Sequence, residues 1–542
     1  DAIRRAETAQ TSYFSRYPQS CAQCAFDPLH SPFHYFPSML CCTCLNASEA
    51  LVSDHSTLFA HPSGYSGLYN FHKYWGKKPA ELMRDLALSL CPEDGTVLDP
   101  FVGYGAIARE CMLNRRHFTG IDINPVAIRL SELITNPPTS SEIDDTLQNM
   151  THSCKESISQ SYMIHESGSP ATHILWEDGS IREMWESSAS RKRVVYTPTT
   201  ADTELADAYT RYRSQYARDI ELFDNSRINA KNTLHLSDIF SGRAQYNIDM
   251  LIAHIDEFPP HIRRALMLCL TSALGQMSKM VFAITGRGKT KGHASSKIEV
   301  GSWVIGYWRP NLHFEVNVWN CFERRTKKFI KTLREVETQN TDIVGVHTLG
   351  YTPTLILDDA RTALEQLEKQ SVDLIVTDPP HGDRIPYLEL SEIWNAFLRE
   401  TSDFDNEIVV SNAKGRQKDA VSYQRALDQV FRECGRILRP GGFFIIVFNS
   451  RYEAIWSNLR NALTAFGDGM VPIEYVGSFD CEYSAGSVVQ DNRAGGLKSD
   501  FGLVFRAPDK QNEMSSRAQS VLEQLPGWTT EWPKEEAEVD AV

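Results

Sequence analysis

Residues 95–114 read GTVLDPFVGYGAIARECMLN: a short apolar run closing on Asp99, a loop carrying Gly103 and Gly105, and then a helix-forming stretch. Residues 117–134, HFTGIDINPVAIRLSELI, repeat that grammar, with Asp122 at the end of the apolar run. Two strand–loop–helix units in tandem predict a parallel sheet with helices crossing over it. The two glycines permit a tight turn and a close approach of backbone to a ligand, and Asp122 stands where a strand-end carboxylate meets hydroxyl groups. Taken alone, the segment also fits a plain strand–helix turn with a solvated carboxylate.

Working outward, the grammar stops near residue 139 and returns at 354–383, TLILDDARTALEQLEKQSVDLIVTDPPHGD, continuing through 429–450, QVFRECGRILRPGGFFIIVFNS, where a helix is expected to end at Pro440-Gly441-Gly442. Between them lie a Ser/Thr-rich stretch, expected hairpins around ATHILWEDGS (171–180) and RKRVVYTP (191–198), and helical segments such as HIRRALMLCLTSAL (261–274). The chain therefore divides into an amino-terminal segment 1–50, an α/β half 51–138, an inserted domain 139–340, a second α/β half 341–507 and a polar, acidic tail 508–542 expected to be poorly ordered.

The 542 residues exceed what one core supports, and 42% hydrophobic with 23% charged residues is a globular composition. The net charge of −14 excludes a protein that coats polyanions over its whole surface, so nucleic acid requires a local basic patch. No apolar run reaches the ~18 residues of a membrane span and the polar start is no secretory signal, so a cytoplasmic location is expected. Five of the 12 cysteines fall within the first 44 residues; Cys21-x-x-Cys24 and Cys41-x-x-Cys44, 16 residues apart, are spaced for a structural Zn²⁺ ribbon, with His30 or His34 able to replace one sulfur. A disulfide pair is the competing reading, disfavoured in a reducing compartment.

A dinucleotide would need a third loop glycine, and this loop has Ala108 there. S-adenosylmethionine needs no phosphate cradle: a glycine loop for its methionine part, a carboxylate for the ribose and a polar contact for adenine suffice. Asp99, Pro100, Phe101, Gly103, Gly105, Asp122 and Asp359 are placed for that, although Asp359 also reads as a helix N-cap. Downstream, Asp378-Pro379-Pro380-His381 closes the strand VDLIVT. Here the chain resembles the DNA amino-methyltransferases, which methylate an exocyclic nitrogen of adenine or cytosine. Asp99–Gly105 match their cofactor loop and Asp378–His381 their (D/N/S)PP(Y/F/W) motif. With the cysteine pairs, the specific resemblance is to adenine-specific DNA methylases containing a Zn-ribbon domain. The resemblance covers about 65–138 and 345–507, and it implies a Rossmann-like S-adenosylmethionine-dependent α/β fold with a target-recognition domain inserted between the two motifs. It further implies that the Asp378 carboxylate and the Pro379 carbonyl accept hydrogen bonds from the target amine, held rigid by the prolines. The fourth residue then stacks on a base turned out of the duplex. His381 departs from the family's aromatic ring. In HKYWGKKPAELM (72–83), Lys77 or Lys78 is implied to meet the cofactor carboxylate; Tyr387, Glu389 and Trp394 either shape the target pocket or belong to a helix core.

On the substrate side, Arg287, Lys289, Lys291 and Lys297 in a Gly/Ser-rich loop, and Arg324, Arg325, Lys327 and Lys328 further on, are the basic clusters required for a phosphate backbone, with Trp303, Tyr307 and Trp308 nearby for stacking. A solvated loop above an aromatic core is the plain alternative. The expected function is methylation of adenine N6 in double-stranded DNA. Cytosine N4 or an RNA base is the alternative substrate, and a DNA-binding module with a decayed site is the alternative class. Large methylases of this type resemble parts of restriction or phage-defence systems, which implies partner proteins.

Overall fold

The computed structural model describes residues 65–187, 192–285, 289–290, 293–294, 298–303, 306–339, 350–449, 456–457, 459–460, 473–481, 500–509 and 514–533. The cysteine pairs with their expected zinc, and Arg287, Lys291 and Lys297, lie outside the described residues. Among the described residues no cluster of three or more His, Cys, Asp or Glu is placed to hold a metal ion. No described helix is long and apolar enough to cross a membrane.

The first two apolar runs form β1 (Thr96–Asp99) and β2 (His117–Asp122), paired in parallel with Val97 beside Phe118. The chain then leaves for an antiparallel excursion of β3 (His173–Glu177), β4 (Ser180–Ser187), β5 (Arg193–Tyr196), β6 (Val281–Ile284), the short β7 (Lys289–Thr290) and β8 (His293–Ala294), β9 (Glu299–Trp303) and β10 (Leu312–Val316). It returns with β11 (Thr354–Leu357), β12 (Val372–Thr377), β13 (Leu438–Phe448), β14 (Glu474–Cys481) and β15 (Asp500–Arg506). These last five and the first two make one seven-stranded sheet in the order β11-β2-β1-β12-β13-β15-β14. Strands β11 through β13 in that order are mutually parallel, and β15 runs antiparallel to both of its neighbours.

The chain builds outward from β1 through β2 to β11, then crosses back to β12 and β13 on the other side. Such a reversal opens a crevice at the carboxyl ends of the two central strands, because the loops above them diverge. Asp99, Asp122 and Asp378 all leave strands at that end. The central strands are covered on both faces, which accounts for their unbroken apolar runs: Leu374, Ile375 and Val376, and Phe444 through Phe448, are all buried. The helix before β13 ends at Ile437, and Pro440-Gly441-Gly442 falls among the first residues of the strand rather than at the helix end; Gly441 has φ +83° there.

The excursion forms a six-stranded antiparallel sheet, β5-β4-β3-β10-β6-β9. Its two edges approach each other, since the Arg193 guanidinium on β5 donates to the Ile298 carbonyl just before β9 at 2.7 Å. The helix Pro260–Met277, with proline in its first turn, is apolar nearly all round and buried accordingly. It packs in one continuous core with Trp319, Phe322 and Phe329 of the helix Val318–Gln339 and with Trp394 and Phe397 of the helix Tyr387–Leu398. The two sheets are thus separate in strand pairing and in core; the insert's core takes in helices of the α/β part, Pro125–Thr135 and Tyr387–Leu398, while the strands of the seven-stranded sheet pack in cores of their own.

Residues 514–533, expected within a polar tail, are instead packed. Helix Ser516–Leu522 buries Val521 and Leu522, and Ser478 of β14 exchanges backbone hydrogen bonds with Thr529. The spaced apolar residues Val521, Leu522 and Leu525 do this in a segment whose average composition is polar.

Arg218 of the insert pairs with the buried Glu392 of the second α/β half, and within that half Arg416, its side chain 1% exposed, pairs with both Glu389 (3.1 Å) and Glu407 (2.7 Å). Glu389 also accepts from Asn225 at 2.7 Å. Removing one member of such a cluster strands the remaining charges in low dielectric, at a cost of roughly 3–5 kcal/mol. Arg416→Met is therefore expected to lower the thermal midpoint strongly, and adding Glu389→Gln and Glu407→Gln to recover much of the loss; differential scanning calorimetry of the single and triple variants checks both.

Candidate active site

The glycine loop is shaped by its neighbours. Gly103 and Gly105 have φ of +52° and +82°, the left-handed region. A side chain at Gly105 would meet Ser131 Oγ at 2.4 Å, and that same hydroxyl donates to the Gly103 carbonyl at 3.1 Å. From the other side, Asp122 accepts from the amides of Gly103 (2.9 Å) and Asn124 (2.8 Å). Its carboxylate therefore clamps the loop at the cleft wall. Burial pushes the Asp122 carboxyl up to about 6, against those two amide hydrogen bonds.

Asp99 joins the two halves of the sequence. One oxygen accepts from the Phe101 amide at 2.9 Å and from the Thr377 hydroxyl at 2.8 Å, so the residue opening the glycine loop is bonded to the residue preceding Asp378. Burial pushes the Asp99 carboxyl up to about 7.

A single cleft of about 1010 Å³, open mouth included, is lined by the glycine loop, Pro100, Phe101, Asp122, Asp359, Lys77, Lys78, Thr377, Asp378, Pro380 and Tyr387. The two motifs, far apart in sequence, thus face one space. Asp359 lines it as the N-cap of the helix Ala360–Glu365, accepting from the Arg361 amide at 3.0 Å and pairing with the Arg361 guanidinium at 2.7 Å. Asn406, Glu407 and Ile408 complete that wall; no spacing in the sequence announced them.

A strap, residues 72–79, closes the near side. The His72 ring contacts Thr271 Oγ1 at 3.1 Å and the Lys73 carbonyl at 2.7 Å, and packs edge-on to Trp394. Burial lowers its pKa to about 3, so the ring is neutral. Trp75 stacks on Trp394 with centroids 5.0 Å apart. Gly76, φ +67°, passes where any side chain would meet Tyr387 Oη at 2.9 Å.

The two strap lysines diverge. Lys77 turns back to donate to the carbonyls of Tyr69 and His72, both at 2.9 Å, with its ammonium 4.2 Å from the Tyr104 ring centroid. Burial and the nearby Lys328 lower it to about 8. Lys78 instead reaches the Asp-Pro-Pro-His turn, 3.0 Å from Asp378 Oδ2, and lies 2.9 Å from Asp500 Oδ2. The other Asp378 oxygen meets His381 Nε2 at 2.9 Å. Tyr423 donates its hydroxyl to the Pro380 carbonyl, fixing the doubled proline from below.

Asp500, Thr377 and Arg384 extend the site beyond the residues that the motifs single out, and nothing local at Asp500 pointed to a position opposite the DPPH turn. Lys78, one of the two lysines expected to meet a cofactor carboxylate, pairs with Asp378 and Asp500. Of the expected target-pocket residues, Tyr387 lines the cleft, whereas Glu389 and Trp394 are core. Tyr307, expected near nucleic acid, is buried and donates to the Glu389 carbonyl; Trp308 is 41% exposed.

Comparison with known proteins accords with this geometry. Residues 52–133 match the family model described as DNA methylase, of the N6/N4 type. A search of curated proteins finds no significant match. Solved structures that it resembles include a Thermus thermophilus protein assigned as a DNA modification methylase, at 20% identity over 31% of this chain and 59% of that one, TM-score 0.18. The same protein complexed with S-adenosyl-L-methionine matches at 18% identity over 31% of this chain and 58% of that one, TM-score 0.18. A Corynebacterium glutamicum protein assigned as a spermidine synthase matches at 14% identity over 33% of this chain and 48% of that one, TM-score 0.18. The matched region spans less than two thirds of each, and at such scores none of these bears on substrate or partner.

The raised Asp99 carboxyl carries a pH signature. Its neutral form suits the buried site better, so its stabilising contribution is greatest below the ordinary carboxylate range near 4 and is lost as pH rises through about 7. Asp99→Asn keeps an acceptor for Phe101 and Thr377 and cannot ionise. The variant is expected to melt several degrees above the wild type at pH 8, the gap closing toward pH 4, as followed by thermal unfolding across that range.

Proposed function

We propose that this chain is an S-adenosylmethionine-dependent DNA methyltransferase acting on the exocyclic amine of adenine, N6. The observation that carries the reading is that Asp378 of the DPPH turn and the Gly103–Gly105 loop line one cleft, in a chain whose residues 52–133 match an N6/N4 DNA methylase family model. The cleft's chemistry suits the cofactor. It offers a left-handed glycine loop without a phosphate cradle, carboxylates at Asp122 and Asp359, and an apolar wall from Phe101. Trp75 Nε1, on a cleft-lining residue, is a buried donor without a partner among the described residues.

S-adenosylmethionine would be held by the Gly103–Gly105 loop, Asp122 and Asp359 and would supply an electrophilic methyl group on its sulfonium, the C–S pair staying with sulfur as the N–C bond forms and the displaced amine proton passing to water. The chain's own groups act on the amine. An exocyclic base nitrogen is a poor nucleophile because its lone pair is delocalised into the ring. The Asp378 carboxylate and the Pro379 carbonyl accept from its hydrogens, favour a pyramidal nitrogen and stabilise the positive charge that grows on it. Pro379 and Pro380 contribute no competing amide donors. Cytosine N4 and an RNA base amine are served by the same chemistry and are the alternative substrates.

Incubation with methyl-labelled S-adenosylmethionine and DNA or RNA, followed by digestion to nucleosides, tests the reading. Label is expected in N6-methyldeoxyadenosine, with Asp378→Ala lowering it by at least about 100-fold. Label in deoxycytidine or ribonucleosides alone moves the substrate. DNA binding with equal inactivity of wild type and variant replaces the enzyme by a binding module.

A cationic face supports a polyanionic substrate. Arg325 and Lys328, on the helix Val318–Gln339, stand close enough to the strap to perturb Lys73 and Lys77. Lys73 lies 4.6 Å over the Trp303 ring. Among the described residues no carboxylate is paired with Lys73, Arg325 or Lys328, whereas Lys327 pairs with Glu323 and Arg324 bonds Gln276. Mutually repelling cations beside a cleft are relieved by phosphates. Arg325→Gln with Lys328→Gln is expected to weaken binding of any DNA sequence and to flatten the log–log salt slope by roughly 2, one counterion per charge removed, leaving cofactor affinity unchanged. Fluorescence anisotropy across salt concentrations, with cofactor calorimetry, checks this.

A further inference from the structure

We infer that His381 is a positioning residue for Asp378, oriented by Arg384, and not a stacking platform for the target base. The inference rests on the methyltransferase reading and assigns a role to the residue at which this chain departs from the family motif.

Hydrogen-bonding capacity fixes the imidazole's state. Arg384 Nη1 lies 3.2 Å from His381 Nδ1, and a guanidinium has donors only, so Nδ1 must be the acceptor. The ring is then neutral with its proton on Nε2, the nitrogen 2.9 Å from Asp378 Oδ1. The Arg384 amide donates to the His381 carbonyl at 3.1 Å, so the two residues form a local turn that holds guanidinium and imidazole together. Arg384 is in turn 3.4 Å from Asp500 Oδ1, whose other oxygen takes Lys78, and Lys78 returns to Asp378 Oδ2. The result is a closed ring of contacts, Asp378–His381–Arg384–Asp500–Lys78, with two cations, two anions and one neutral imidazole.

Packing removes the ring from service as a stacking surface. The His381 side chain is 9% exposed, and the ring sits at 63° to Phe448 with centroids 4.8 Å apart. Imidazole therefore holds the carboxylate by one oxygen while Lys78 holds it by the other, and each oxygen keeps a further lone-pair direction for the incoming amine. Fixing the carboxylate plane in advance is what an acceptor aimed at a developing charge requires.

The two roles call for opposite substitutions. His381→Gln preserves an N–H donor near the Nε2 position; His381→Phe restores a family-type ring and deletes the donor. With a positioning role, His381→Phe lowers kcat by about 10–100-fold while the KM for DNA and the emission of 2-aminopurine at the target position stay within about twofold of wild type; His381→Gln returns kcat to within about fivefold. If His381→Phe matches or exceeds wild type while His381→Gln loses the 2-aminopurine signal and raises the KM, the base stacks on residue 381 and the inference is wrong.

A second measurement does not need turnover. Long-range ¹H–¹⁵N correlation on histidine-labelled protein, with the His381 signals identified by their loss in His381→Gln, is expected to show the neutral Nε2–H tautomer at pH 7.5, becoming a tautomer mixture in Arg384→Met. An imidazolium or an Nδ1–H tautomer in the wild type overturns the inference. A wild type that transfers no methyl group to DNA or RNA sinks the methyltransferase reading, and the tautomer still decides whether the brace on Asp378 exists.

Discussion

One buried carboxylate holds the two halves of the site in register. Asp99 accepts at once from the Phe101 amide, which begins the glycine loop, and from the Thr377 hydroxyl, which precedes Asp378. β1 and β12 are parallel neighbours, with Leu98 beside Ile375, so sheet pairing brings the two strand ends together, and the Asp99 bond sets how the loops leave them. That bond is made inside the protein, where an acceptor without its donors costs more than in water. The raised carboxyl of Asp99 reflects the cost of placing an anion there; the result is a fixed distance between a loop that accommodates a ligand and a turn that presents acceptors to it.

The insert could have been a separate reader tethered to such a site, but here it is structural to the cleft. His72 and Trp75 of the strap rest on Trp394, Trp394 lies in the core formed by the insert's helices, and Thr271 of the central insert helix meets the His72 ring. A movement of the helix Pro260–Met277 would therefore be felt at the strap through packed contacts, and Gly76 of that strap lies against Tyr387 and Asp378. Packed interiors transmit displacement because they have few voids to absorb it. The insert can consequently influence the surroundings of Asp378 without contacting that residue.

What the sequence made legible was local. The strand–glycine-loop–helix pattern at 95–114, the strand-end carboxylates and the rigid DPP turn each follow from propensity and spacing over a few residues, and the strand ends that carry them fall at the cleft. What it hid was long-range: Lys78 and Asp500 are 422 positions apart, and only folding of the antiparallel β15 beside β13 brings Asp500 to the strap. Tyr307 shows the converse. Its aromatic neighbours suggested a stacking surface, but its hydroxyl finds the Glu389 carbonyl and its ring fills the core. The tail misled through averaging, since three well-spaced apolar residues suffice to dock a short helix within a polar segment.

The ring of charge around Asp378 gives the imidazole at position 381 a physical rationale. An aromatic hydrocarbon ring there would leave Arg384 facing an apolar edge and Asp378 supported by Lys78 alone. Imidazole is the one aromatic ring among the side chains that donates to a carboxylate through one edge while accepting from a guanidinium through the other. It inserts between an anion and a cation without adding charge, so the balance set by Lys78, Arg384, Asp378 and Asp500 is undisturbed. Buried clusters of this kind contribute little to stability by themselves because desolvation offsets attraction. Their value lies in direction: with one oxygen of Asp378 held by His381 and the other by Lys78, the orientation of the carboxylate at the cleft is set from within the protein.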